Sequence, residues 1–198
     1  MTFTATTSLD ELRTAYNEAG EETKNVLKKL FPYVKLAPVT ERVKNWDDVV
    51  RELGYDPVER LLDHTECGDG FSIEPDEIAY IKIKAIATVL NEGWTPQFTV
   101  DEYRYFPWFY LYTKEEIDKM DKDKRSRVVL RSANYADALG GVAFANASDD
   151  SSVAASYYGS RLAFKSRELA IYAGKTFTRE YADFVFPERQ NPLGNESD

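Results

Sequence analysis

The sequence predicts an α+β protein: a helical N-terminal region over residues 1–93, then a β-rich region over 94–186 that closes with a helix. Three observations predict it. Apolar residues recur at helical spacing through the first half, between cap and stop signals. After Trp94, aromatic residues crowd together from Phe98 to Tyr112, which favours a pleated, half-buried surface. A last apolar stripe at helical spacing, running from Leu169 and Tyr172 through Ala173, Phe177 and Tyr181 to Phe184, follows a capping serine, Ser166.

Each element has its own signal. Ser8 with Glu11 forms a capping box that opens a helix with Leu9, Leu12 and Tyr16 on one face. Gly20 interrupts it, and a second helix, Glu21 to Leu30, is stopped by Pro32. Val43, Trp46, Val49, Val50 and Leu53 predict one helix from Thr40 to Leu53, ended by Gly54. Asp56-Pro57 pairs a cap with a proline at the first turn and starts a short helix through Leu61 and Leu62. Pro75 leads into the strongest helix of this half, Asp76 to Leu90. Pro107 predicts a break between two strands in the aromatic run, whose residues 103–112 would be core or strand-packing, and Val128-Val129-Leu130 predicts another strand. The tail over 187–198 is polar and predicted to be disordered.

Composition narrows the function classes. Thirty-four acidic against twenty-five basic residues leave a net charge of −9, and Lys and Arg do not cluster. Phosphate contacts need a concentrated basic face, so nucleic acid is not an expected partner. No leader-like segment opens the chain, and no apolar run approaches the roughly 20 residues of a membrane span, so membrane insertion is not expected either. The single cysteine, Cys67, excludes an internal disulfide framework. These properties suit a virion, a bacterial cytoplasm or a cell surface alike.

Catalytic constellations are absent from the pattern. His64 is the only histidine, and Cys67 stands three positions on, but Gly68 and Gly70 end the helix that would bring the two together. His64, Cys67 and Asp69 lack the repeated ligand pairs of a zinc site. No glycine-rich phosphate loop occurs. The expectation is therefore a protein that is not an enzyme and has no metal or cofactor.

One segment departs from the rest. Ser132 to Ser160 contains no Lys, Glu, Gln, Trp or Met, types that make up 38 of the 198 residues, so twenty-nine residues should hold roughly five or six of them. Ala, Ser, Tyr, Asp, Gly and Asn fill it instead. A small-residue linker is one reading. Tyr135, Val142, Phe144, Val153, Tyr157 and Tyr158 are many anchors for a linker, and Gly141-Val142-Ala143-Phe144-Ala145 predicts a buried strand. The other reading is a recognition surface: tyrosine supplies rigid contact area while Ser, Asn and Gly supply adaptable hydrogen bonds.

Arg131-Ser132-Ala133-Asn134, followed after a variable stretch by Gly159-Ser160-Arg161-Leu162-Ala163-Phe164, resembles the C-terminal strands of the C-type-lectin-like fold in its formylglycine-generating-enzyme-related branch. That fold is used by the variable proteins of diversity-generating retroelements, in which adenine miscopying acts on codons that cannot encode Lys, Glu, Gln, Trp or Met. The wider layout is similar to a group of proteins from gut bacteria and their phages. Ser160 replaces the family's usual aromatic, and Glu74-Pro75-Asp76 is only a partial echo of the calcium-lectin signature, so calcium-mediated sugar binding is not implied. The resemblance implies strands at 128–133 and 160–164 close in space, with Arg161, Leu162 and Phe164 as scaffold and Arg161 paired internally. It also implies a diversified binding surface within 132–160, formed by Asn134, Tyr135, Asp137, Asn146, Ser148, Asp149, Ser151, Tyr157 and Tyr158. The partner would be a protein or glycan on a cell surface, contacted in phage or bacterial receptor recognition. The alternative is a structural virion or assembly protein that uses this segment for subunit packing, and self-association fits either.

Overall fold

The computed structural model describes residues 6–65, 73–97, 99–133, 138–151 and 160–186. The chain is α+β, with helices on the N-terminal and C-terminal sides of a three-stranded antiparallel sheet. It divides into two compact units, Met1–Lys44 and Asn45–Asp198. Among the described residues no helix is long and apolar enough to cross a membrane.

The first unit holds α1 (Leu9–Glu18), α2 (Glu21–Leu30) and the single turn α3 (Val39–Arg42). The Ser8–Glu11 capping box forms reciprocally: the Glu11 amide donates to Ser8 Oγ at 3.1 Å and the Ser8 amide to Glu11 Oε2 at 2.8 Å. Tyr16 is buried, with Lys24 and Lys28 each 5.5 Å from its ring. Leu9, by contrast, is exposed.

The second unit begins with α4 (Trp46–Leu53), α5 (Pro57–Thr65) and α6 (Pro75–Leu90). The single helix expected from Thr40 to Leu53 is two, because Asn45 turns its side chain onto the Asp48 amide at 3.0 Å and caps a new helix. Its carbonyl oxygen satisfies an amide that helix continuation would otherwise have to satisfy. The buried stripe of α6, including Ile83, Ile86 and Leu90, faces the core. At its end buried Asn91 donates to the Ala163 carbonyl at 2.8 Å and accepts from the Lys165 amide at 3.0 Å, which ties α6 to the chain ahead of the last helices.

The sheet has the order β1-β3-β2, from β1 (Tyr103–Thr113), β2 (Val129–Ala133) and β3 (Ala138–Ser151). Gly141 to Ala145 lies in the central strand, as expected, and Val142 is fully buried. Pro107 does not split the aromatic run, which is one eleven-residue strand. The reason is positional. Tyr105 exchanges backbone bonds of 3.1 and 2.7 Å with Phe164, so its amide points away from β3. Two residues on, the missing N–H of Pro107 falls on that same outer side of an edge strand, where no ladder bond is lost.

Residues 160–164 form a 3-10 turn, Ser160–Leu162, and then a single bridge from Phe164 to Tyr105. The expected strand there is thus reduced to one bridge, and it meets β1, not β2. Leu162 and Phe164 are buried as expected of scaffold, whereas Arg161 is exposed. The final helix is also two, α9 (Arg167–Thr176) and α10 (Thr178–Val185). Thr178 Oγ1 donates back to the Gly174 carbonyl at 2.7 Å and the Lys175 carbonyl at 3.1 Å, and Phe177 leaves helical geometry between them.

Candidate functional site

Alternation along β1 sorts its side chains onto two faces. Pro107 and Phe109 face α9 and α10, where the Phe109 ring lies 5.0 Å from Tyr181 and 6.0 Å edge-on to Phe144. The helix comes this close because Gly174 has no side chain: a Cβ there would sit 2.3 Å from Phe144 Cδ2 and 2.8 Å from Pro107 Cβ.

Trp108, Tyr110 and Tyr112 leave the sheet on the opposite side. Tyr110 pairs with Ala143 and Tyr112 with Gly141, and these two β3 residues face a small cover. That cover is α7 (Lys114–Asp118) and α8 (Lys122–Arg125), from which Ile117 packs with Val128, Ala143, Tyr112 and Met120. A Cβ at Gly141 would meet Val128 Cγ1 at 2.3 Å, so glycine lets the cover seat. Lys124 lies 5.6 Å over the Tyr112 ring. A Lys114–Asp118 ion pair at 2.7 Å closes the outside of α7, and that hydrogen bond holds the Asp118 carboxyl below its usual range.

The cover ends at Tyr112. Trp108 and Tyr110 beyond it keep 51% and 55% of their surface exposed, and Tyr103 at the head of the strand keeps 51%. The aromatics of 103–112, expected as core or strand packing, thus include buried Phe106 and these three half-exposed residues. Beside them the register sets the second half of β3: Asn146 opposite Trp108, Ser148 opposite Phe106, Asp149 opposite Tyr105 and Ser151 opposite Tyr103. A bulge between Trp108 and Phe109 leaves Ala145 without a partner and re-aims the strand beyond it.

Of the residues expected to bind, Asn146 and Asp149 are exposed and Ser148 is half-buried. Ser151 ends β3, while its side chain lies outside the described residues. Asn134, Tyr135, Asp137, Tyr157 and Tyr158 lie outside the described residues, as do Cys67 and Asp69. Asn146 and Asp149 converge on one guanidinium. Arg167, the first residue of α9, donates to Asn146 Oδ1 at 3.1 Å and lies 3.6 Å from Asp149 Oδ1. It is held there by the cap of its helix, in which Ser166 Oγ accepts from the Leu169 amide at 3.3 Å. The next residue's carboxyl, Glu168, is held below its ordinary range by its own backbone amide and by the Ser166 hydroxyl.

The aromatic half of this surface was missed from sequence, although a signal existed. Aromatic residues occupy both parities of β1, Tyr105 and Phe109 on one and Phe106, Trp108, Tyr110 and Tyr112 on the other. A strand with a single buried face cannot bury both sets. The resulting surface offers the Trp108 indole N–H, the Tyr110 hydroxyl and the Asn146 amide, groups that stack and hydrogen-bond, while Asp149, opposite Tyr105, lies on the parity of Phe109. Among the described residues no group of three or more His, Cys, Asp or Glu gathers as a metal site. No protein-family profile, curated protein or solved structure matches the chain.

Proposed function

We propose that this chain is a non-enzymatic binding protein that recognises a ligand on a cell surface through the open face of its sheet. The observation that carries this reading is the exposure of Trp108 and Tyr110, each about half in water, with the Asn146 amide directly opposite Trp108. Clustered exposed aromatic area costs free energy in water and marks contact sites on soluble proteins. Rigid aromatics beside Asn and Ser provide contact area with little entropy loss, plus hydrogen bonds that adapt to different ligands.

The composition of 132–160 supports a further step, diversification of this surface by a retroelement, with phage or bacterial receptor recognition as its use. On that reading β1 is the constant wall and β3 the variable one. The test has two arms. Trp108→Ala, Tyr110→Ala and Asn146→Ala are assayed for binding to whole bacterial cells and a receptor array, beside thermal melts. At least one aromatic variant should lose 1 kcal/mol or more of binding, roughly the threshold that separates hot spots from neutral contacts. Unchanged binding in all three sinks the reading. The second arm is genomic: diversification requires a near-repeat of the codons for 131–161 beside a reverse transcriptase.

Subunit packing is the second reading, favoured by Leu111 and Leu130, which are exposed at opposite sides of the sheet, and by the edge position of β1. Light scattering on the purified chain separates the two: a concentration-independent monomer that binds cells excludes packing as the role of this face.

A further inference from the structure

A second site lies away from the sheet, in the cleft between α4, α5 and α6. Its volume is 290 Å³. Leu53, Leu61 and Ile81 form its walls and Ala85 its floor, where a methyl side chain leaves room that Ile or Leu would fill. Helical spacing delivers the other groups. On α6, Ile81, Lys84, Ala85 and Thr88 share a face, and on α5, Pro57, Arg60 and Leu61 do. Two cations therefore stand at the mouth of an apolar cleft. Arg60 lies 5.6 Å over the ring of Tyr55, itself part of the lining. Among the described residues neither Arg60 nor Lys84 has a carboxylate partner, although the chain carries nine more acids than bases.

We infer that this cleft binds a small amphiphilic carboxylate, its apolar chain against Leu53, Leu61, Ile81 and Ala85 and its head group between Arg60 and Lys84. Charge selects the class. A chain of net charge −9 repels anions at long range, so two cations with no carboxylate partner among the described residues, beside apolar walls, favour a ligand whose own apolar body drives entry. The guanidinium fork suits a carboxylate in particular, to which it can donate two parallel bonds. Size limits the body. The cleft is at the small end of ligand sites, which run from ~300 to ~1,000 Å³. A cavity of ~150 Å³ holds benzene, so this one takes roughly ten carbons. The inference is independent of what the sheet binds.

The test is calorimetric titration of the full chain with octanoate, followed in parallel by amide chemical shifts. Saturable binding is expected, with shifts on α5 and α6 around Leu61 and Ala85, and octylammonium should not compete. The double variant Arg60→Gln, Lys84→Gln should bind octanoate at least about tenfold more weakly, the scale of losing one charge-assisted contact. Ala85→Phe should fill the floor and abolish binding. Should that variant fail to fold, the two rim substitutions, made at a largely exposed arginine and a lysine, decide the matter. Absence of saturation below the concentration at which octanoate forms micelles overturns the inference. So does equal affinity in the double variant, or octylammonium binding as well as octanoate.

Discussion

The two faces of β1 carry the same kind of residue and do opposite things. Toward α9 and α10, Phe109 stacks on Tyr181 and Pro107 fits against Gly174. On the other face Trp108 and Tyr110, one residue away on either side of Phe109, stand half in water. Nothing in the side chains distinguishes these neighbours; parity does, together with where α7 and α8 stop covering the sheet, although elsewhere on the strand Phe106 is buried on the parity of Trp108 and Leu111 is exposed on that of Phe109. An aromatic strand is therefore not one feature but two interleaved ones, a packing stripe and a display stripe.

That contrast can be broken or sharpened by substitution. The largest effect is expected at Phe164, fully buried and bridged to Tyr105: Phe164→Ala should cost about 3–5 kcal/mol in a denaturant melt, the usual loss for a core phenylalanine. Gly174→Val tests the packing stripe directly, since its Cβ would overlap the Phe144 ring. It should cost about 1–3 kcal/mol, the range for overpacking. Trp108→Ser or Tyr110→Ser on the display stripe should change stability by no more than about 0.5–1 kcal/mol, the scale of a cross-strand pair, while reducing ligand binding. A stability loss as large as that of Gly174→Val would make the display stripe part of the core and remove the contrast.

The smallest effect depends on pH. Burial pushes the Glu180 carboxyl on α10 above its ordinary value of 4.5, against weaker opposing help from its own backbone amide and Lys82. The folded chain thus holds that proton where the unfolded chain has released it. Stability falls as pH rises from about the ordinary value through the raised one, and the loss is complete above it. Glu180→Gln should be slightly more stable than the parent at neutral pH, with the difference shrinking as the pH is lowered below the ordinary carboxylate range. A difference that is constant with pH would assign the effect to packing.

Much of the fold was legible because it rests on local rules. The Ser8–Glu11 box, the stop at Pro32, the helix that begins at Asp56-Pro57 and the long apolar helix before Asn91 are each written within a few residues. So is the buried strand around Val142. The breaks at Asn45 and Phe177 were not legible, since each depends on a side chain choosing a nearby backbone group over helix continuation, and the apolar periodicity runs straight through both. Pro107 misled for a different reason. Its tolerance depends on which side of an edge strand its nitrogen occupies, a fact of pairing. The same limit governed the site. Composition singled out the segment that holds Asn146, Ser148 and Asp149, but the aromatics of β1 enter only through the β1–β3 register, which joins segments about forty residues apart.

Pro107 has one more consequence, for the behaviour of concentrated solutions. An edge strand of eleven residues rich in aromatics is the kind of template on which chains stack into fibrils. Fibril growth needs an unbroken row of amides, and here the outward row is interrupted at its midpoint by a residue with no amide at all, with the Phe164 bridge occupying the position before it. The strand thus exposes aromatic side chains perpendicular to its backbone edge, while the edge itself offers another chain an interrupted row of donors.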